Sequence, residues 1–118
     1  MVSINNFRDL DIWKNGIILV KGIYRVTEAF PRDEMYGLSS QMRRAAISVP
    51  SNVSEGFRRR HPKEFKHFLS ITLGSLAELE TQIVIAHELD YLDKQNYDEI
   101  IKLIDYISRM ITSLYKKL

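Results

Sequence analysis

YGLSSQMRRAAISVPSNVSEGFRRR, residues 36–60, carries the densest small residues and the densest positive charge of the chain. Leu38, Met42, Ala45, Ala46, Val49, Val53, Gly56 and Phe57 recur every three or four positions, which puts them on one inward face of a helix. The small members allow a neighbouring helix to come close. Pro50 falls inside the pattern, where it removes a backbone donor and crowds the carbonyl of Ala46. A helix kinked at Pro50 and a pair of short helices broken before it are both compatible with that; the apolar stripe that continues across the proline favours the kinked helix. Arg43 and Arg44 precede the proline, and Arg58, Arg59 and Arg60 follow it.

Outward from this stretch the pattern stays helical. Asp9 to about Ala29 reads as a first helix with two apolar stripes, Trp13, Ile17, Val20 and Tyr24 beside Gly16, Leu19, Ile23, Val26 and Phe30, and Pro31 ends it. The second helix spans about 35–59, its start blurred by Gly37. Pro62 and Glu64 suit the first turn of a third helix, about 62–91, with Phe65, Leu69, Thr72, Leu76, Leu79, Ile83 and Ala86 as its main stripe and Gly74 and Ser75 permitting close approach. Either Asp93 or Asn96 can cap the fourth, about 95–117. Its stripe runs Tyr97, Ile100 or Ile101, Ile104, Ile107, Ile111, Leu114 and Leu118, with Leu103, Tyr106 and Met110 alongside. Four helices, short connections and no alternating strand pattern predict an all-α, antiparallel up-down-up-down four-helix bundle, a single domain over 1–118 and about 30 Å long for helices of about 20 residues. Extra stripes on the first and fourth helices predict association between copies.

Composition bounds the chemistry. With 118 residues the chain can bury a core unaided, and the absence of cysteine excludes disulfides and thiolate metal sites, in keeping with a cytoplasmic protein. MVSINNFRDLDIW has no basic flank leading into an apolar run, so no membrane targeting is expected. Net charge is only +2, but its distribution is uneven. Residues 1–42 hold five Lys/Arg and five Asp/Glu, residues 43–67 seven against two, and residues 68–118 five against eight. The middle is +5 and the last part −3, an asymmetry that serves an external polyanion or pairs with the molecule's own acidic helix.

DLDIWK at 9–14, FPRDEMYGL at 30–38, QMRRAAISVPSNVSEGF at 41–57 and GSLAELETQIVIAHELDYL at 74–92 together resemble the bacterial four-helix bundle proteins first noticed as reading frames within intervening sequences of 23S ribosomal RNA genes. The second-helix motif is the most specific of the four. The resemblance implies a bundle that assembles into a homopentamer around a central channel. A related branch, the accessory proteins of diversity-generating retroelements, works with reverse transcriptase and nucleic acid, and no feature of this chain assigns it there. Arg58-Arg59-Arg60-His61-Pro62 departs from the glycine-containing, less basic turn usual in the family.

No catalytic constellation is visible. Carboxylate-bridged metal bundles need two Glu-x-x-His pairs, and only Glu64-Phe65-Lys66-His67 fits, so neither metal nor cofactor is expected. There is no phosphate loop and no nucleophile elbow, which makes an enzyme the weaker expectation. Arg43 and Arg44 are expected to pair with Glu78 or Glu80, and Asn52 with Glu55 to serve the Pro50 kink, as a structural polar network. Arg58, Arg59, Arg60, Lys63 and Lys66 form either a solvated helix end or a phosphate-binding rim, with Phe65 and Phe68 counted as core. The leading expectation is a non-enzymatic oligomeric scaffold that binds RNA or DNA backbone through this cluster. The runner-up is a protein-interaction adaptor without a nucleic-acid role, binding a basic or helical partner through its acidic fourth-helix region.

Overall fold

One short turn of tighter pitch precedes the first α-helix. Asn6 accepts a hydrogen bond from the Arg8 amide and starts a short 3-10 turn, Phe7–Asp9, which delays the first α-helix until Asp11. In the computed structural model, which describes residues 5–118, four α-helices follow: α1 (Asp11–Thr27), α2 (Leu38–Arg58), α3 (Pro62–Glu88) and α4 (Lys94–Lys117). The first four residues of the amino-terminal stretch read for a targeting signal lie outside the described part. Among the described residues there is no strand.

Each helix end has an identifiable cause. The Thr27 hydroxyl donates to the carbonyl of Ile23 at 2.7 Å, and Pro31 lies four residues on. α2 starts three residues later than its periodicity suggests, because a second 3-10 turn, Arg32–Glu34, places the Glu34 carboxylate to accept the Leu38 amide at 3.2 Å. That side chain satisfies one of the donors a helix start leaves free. α3 ends on Asp90 at φ 62°, with the Tyr91 amide reaching the Ala86 carbonyl and the Asp90 amide reaching His87, the paired bonds of a left-handed helix stop. Asp93, rather than Asn96, caps α4 by accepting the Asn96 amide at 2.8 Å.

α2 is continuous through Pro50. The Ser48 hydroxyl donates to Ala45 O and the Asn52 amide to Ser48 O, so side-chain bonds to carbonyls bracket the proline on both sides. Bonds of this kind tend to bend a helix. Gly16 of α1 faces the proline ring: a Cβ there would stand 3.3 Å from Pro50 Cβ and Cδ. The ring is thus used as packing surface, which offsets the missing donor with close contact.

Helices adjacent in sequence pack side by side, α1 also packs on α4, and the diagonal pairs bring no backbones within 8 Å (Cα to Cα), which is the up-down-up-down arrangement. Leu19, Ile23, Met42, Val49, Val53, Leu69, Leu76, Leu79, Ile83, Ile104, Ile107 and Ile111 are fully enclosed. The bundle measures 46 Å along its axis, longer than about 30 Å because α3 has 27 residues and α4 has 24.

The apolar surface left outside is placed differently from the expectation. Trp13 and Val20 of α1 and Leu103 and Met110 of α4 close down against the core, and of the same stripes Tyr24 and Tyr106 stay exposed. α3 instead is apolar on two sides. Its outer face shows Ile71, Gly74, Ala77, Thr81, Val84 and Ile85, with Glu78 as the charge among them.

Candidate functional site

The turn between α2 and α3 is built from charge. Arg58 closes α2, Arg59 is its cap, Arg60 stands in the left-handed region at φ 57°, and extended His61 leads into Pro62 at the first turn of α3. A left-handed residue with a side chain costs about 1–2 kcal/mol relative to glycine-like freedom, and asparagine or glycine usually fill this place. Here a third consecutive arginine occupies it. Arg58, Arg59, Arg60, His61 and Lys63 are all exposed, while Lys66 is half-buried.

Counter-ions are few. Arg59 bonds Glu55 at 3.1 Å and approaches Glu64 at 3.9 Å. Both carboxylates are about half exposed, so the stronger contact is worth about 0.3–0.5 kcal/mol. Among the described residues, Arg58, Arg60, Lys63 and Lys66 make no ion pair.

Three of these cations lie on aromatic rings. Arg58 is 5.3 Å from the Phe7 ring centre, Arg59 5.2 Å from that of Phe68, and Lys66 4.7 Å from that of Tyr115. Exposed contacts of this type contribute about 0.5–1 kcal/mol each. They also show which parts of the chain meet here: the amino-terminal turn before α1, the α2–α3 turn and the last turns of α4. Antiparallel topology brings Arg8, Lys116 and Lys117 to this same end of the bundle.

Beside the turn, Arg59, Lys63, Lys66, His67, Phe68 and Tyr115 contribute to an open cleft of about 820 Å³. Phe65 is buried, as its stripe requires, but Phe68 is not: it is half-buried and lends ring surface to the cleft. Its displacement from the core follows from α2, where Gly56 leaves room for the Phe68 Cβ and turns the ring to the rim. Tyr115 could be found only by knowing that α4 ends against the start of α3.

The proposed polar network does not form. Arg44, Glu78, Glu80 and Glu55 are exposed, and neither Arg43 nor Arg44 forms an ion pair with Glu78 or Glu80. Arg43 donates its Nε–H to the Thr27 hydroxyl at 2.9 Å and lies 4.5 Å from the Tyr24 ring centre, so it bridges α2 to α1 rather than to α3. Asn52 serves the Ser48 carbonyl and Glu55 serves Arg59; they do not act as a pair. Solvent satisfies the outward carboxylates, and among the described residues no buried charge demands a partner.

At the opposite end, Tyr91 donates to Glu34 at 3.2 Å, tying the α3–α4 turn to the α1–α2 turn. Partial burial and then that carboxylate raise the Tyr91 phenol above its ordinary range. His87 stacks on Tyr97 with ring centres 4.4 Å apart, and its Nδ1 meets the Leu92 carbonyl. Acidic groups collect there: Glu28, Asp33, Glu34, Glu88, Asp90 and Asp93. Among the described residues no three of His, Asp or Glu converge as metal ligands, and Glu64 and His67 answer to Arg59 and the Phe68 ring respectively.

The family described as 23S rRNA-intervening sequence protein matches residues 8–113. A crystal structure of a protein of unknown function from the S23 ribosomal protein family of Bacteroides thetaiotaomicron has a similar fold, with a TM-score of 0.81 over 89% of this chain and 95% of that one at 18% identity. That likeness is one of fold. Among curated proteins, none matches the chain.

Proposed function

The chain belongs to the 23S rRNA-intervening sequence protein family, and we propose that it is a non-enzymatic scaffold that binds the phosphate backbone of RNA or DNA at its α2–α3 turn. The observation that carries this reading is the shortage of counter-ions: five cations stand on one corner, and a single one of them, Arg59, has carboxylate partners. A strained backbone that presents Arg60 outward supports it further, since strain of this kind is kept where a side chain has a use. Self-association through the outer face of α3, into the ring that the resemblance implies, would repeat the corner around an axis and multiply weak contacts.

The adaptor reading draws less support. Two carboxylates of α4 are already engaged within their own helix, Asp98 by Lys94 at 2.8 Å and Asp105 by Arg109 at 3.0 Å.

Titration of a labelled RNA strand and a DNA duplex at several salt concentrations tests the proposal. Each phosphate contact contributes about 0.7–0.9 to the slope of log affinity against log salt. The triple variant Arg58→Ala, Arg59→Ala, Arg60→Gly keeps the left-handed position comfortable and should lose both affinity and slope. Unchanged values in a folded, equally assembled variant would move the adaptor reading ahead.

A further inference from the structure

We infer that the cleft formed by Phe68 and Tyr115 beside the basic turn is a stacking site for unpaired bases, so that the ligand is single-stranded nucleic acid rather than duplex. The inference rests on the phosphate-binding reading of the turn and adds to it the class of strand that is bound.

Ring surface and charge meet in this cleft in a way that neither a core nor a solvated helix end requires. Phe68 and Tyr115 come from different helices, and both contribute to a cavity of about 820 Å³ that also receives Arg59, Lys63 and Lys66, with Glu64 as the one carboxylate of its lining. Tyr115 is 37% exposed, near the end of α4. In the free protein the Arg59 guanidinium covers the Phe68 ring and the Lys66 ammonium covers that of Tyr115.

These cations act as removable covers. Base-on-aromatic stacking is worth more than an exposed cation–π contact, so a base displaces the cation from the ring. The displaced Lys66 ammonium, which has no carboxylate partner, then meets the phosphate that arrives with the base. One exchange provides both a stacked base and a neutralised phosphate. A duplex cannot take part, because its bases are stacked on each other and offer their edges in the grooves but no free face. Every base has a π face, so the site discriminates strandedness and tolerates sequence.

The test uses labelled RNA and DNA single strands of about 12 nucleotides, a length within the range such grooves cover, each beside an abasic strand with the same number of phosphates. Wild-type protein should bind the base-bearing strand about tenfold more tightly than the abasic one, as expected for one well-stacked base. Tyr115→Leu and Phe68→Leu, each checked for unchanged helix content, should bring that ratio toward one. Equal wild-type affinity for both strands would overturn the stacking site and leave phosphate binding standing. A ratio that survives both leucine variants would also overturn it, since the bases would then stack elsewhere. Failure to bind any strand would overturn the phosphate reading and this one together.

Discussion

A Cβ on Gly56 would lie 2.6 Å from the Cβ of Phe68 and 3.1 Å from Cδ1 of Phe65. These contacts hold α2 and α3 close at the end where their basic turn begins, and they direct one phenylalanine inward and the other toward the rim. A single absent methyl therefore connects core packing with the shape of the cleft.

Gly56→Ala gains helix propensity but must push α3 away, and overpacking of this kind costs about 1–3 kcal/mol. The expected result is a lower denaturation midpoint at an unchanged slope with denaturant. Gly74 offers the contrast, because a Cβ there meets nothing within 4 Å of the same chain, so Gly74→Ala should leave the monomer as stable or more stable.

The Oε1 atom of Gln82 is buried without a hydrogen-bond partner on a helix that otherwise encloses Leu79, Ile83 and Ala86. Leaving such an atom unsatisfied costs about 1–3 kcal/mol, and methionine has nearly the same shape. Gln82→Met should raise the denaturation midpoint by about 1 kcal/mol of stability. A lower midpoint would mean that the amide is satisfied in solution, and chemical denaturation monitored by circular dichroism reads the difference.

Arg43 and Arg44 should separate cleanly. Arg44→Ala removes an exposed side chain and should change stability by less than about 0.5 kcal/mol. Arg43→Ala removes a charged donor from the Thr27 hydroxyl and a cation from the Tyr24 ring, with an expected cost of about 1.5–3 kcal/mol. Equal effects from the two substitutions would contradict the bridge between α2 and α1.

Assembly should depend on α3. Gel filtration with light scattering is expected to give a mass near five times 13.8 kDa for the wild-type chain. Gly74→Arg puts a charge in the middle of the outer apolar face and should reduce the mass toward one chain without loss of helix. A monomeric wild-type protein at micromolar concentration would remove the ring from the account.

Stability should decline at high pH partly through Tyr91. Its neutral phenol is favoured in the folded state by partial burial and by Glu34, so its folded pKa is raised. The stabilisation is complete below the ordinary tyrosine value of about 10 and disappears as pH rises through the higher folded value. Tyr91→Phe should flatten thermal stability against pH across that window, while at neutral pH it loses the bond to Glu34.

Periodicity was sufficient for the fold because each helix has an apolar stripe at regular spacing, and all seven residues from Phe65 to Ala86 on the α3 stripe are buried. It was insufficient for the site. When a helix is apolar on two sides, spacing does not say which side faces solvent, so it suggests a partner for Glu78 although that side chain is exposed. The Gln82 position and the Phe68 ring depend on the rotation of α3 against α2, which the Gly56 contact decides. Tyr115 belongs to the cleft only through the antiparallel return of α4, a relation between segments far apart in the chain.

The up-down-up-down topology has one more physical result. Backbone dipoles of antiparallel neighbours largely cancel, so side chains decide the net moment of a body 46 Å long. The α2–α3 turn and the last turn of α4 give one pole an excess of Lys and Arg, and the turns carrying Asp33, Glu34, Asp90 and Asp93 give the other an excess of carboxylates. In the field of a polyanion such a rod experiences a torque as well as a pull. It rotates until the arginine pole leads, which narrows the rotational search before contact and makes encounter rate, and not affinity alone, fall as salt is added.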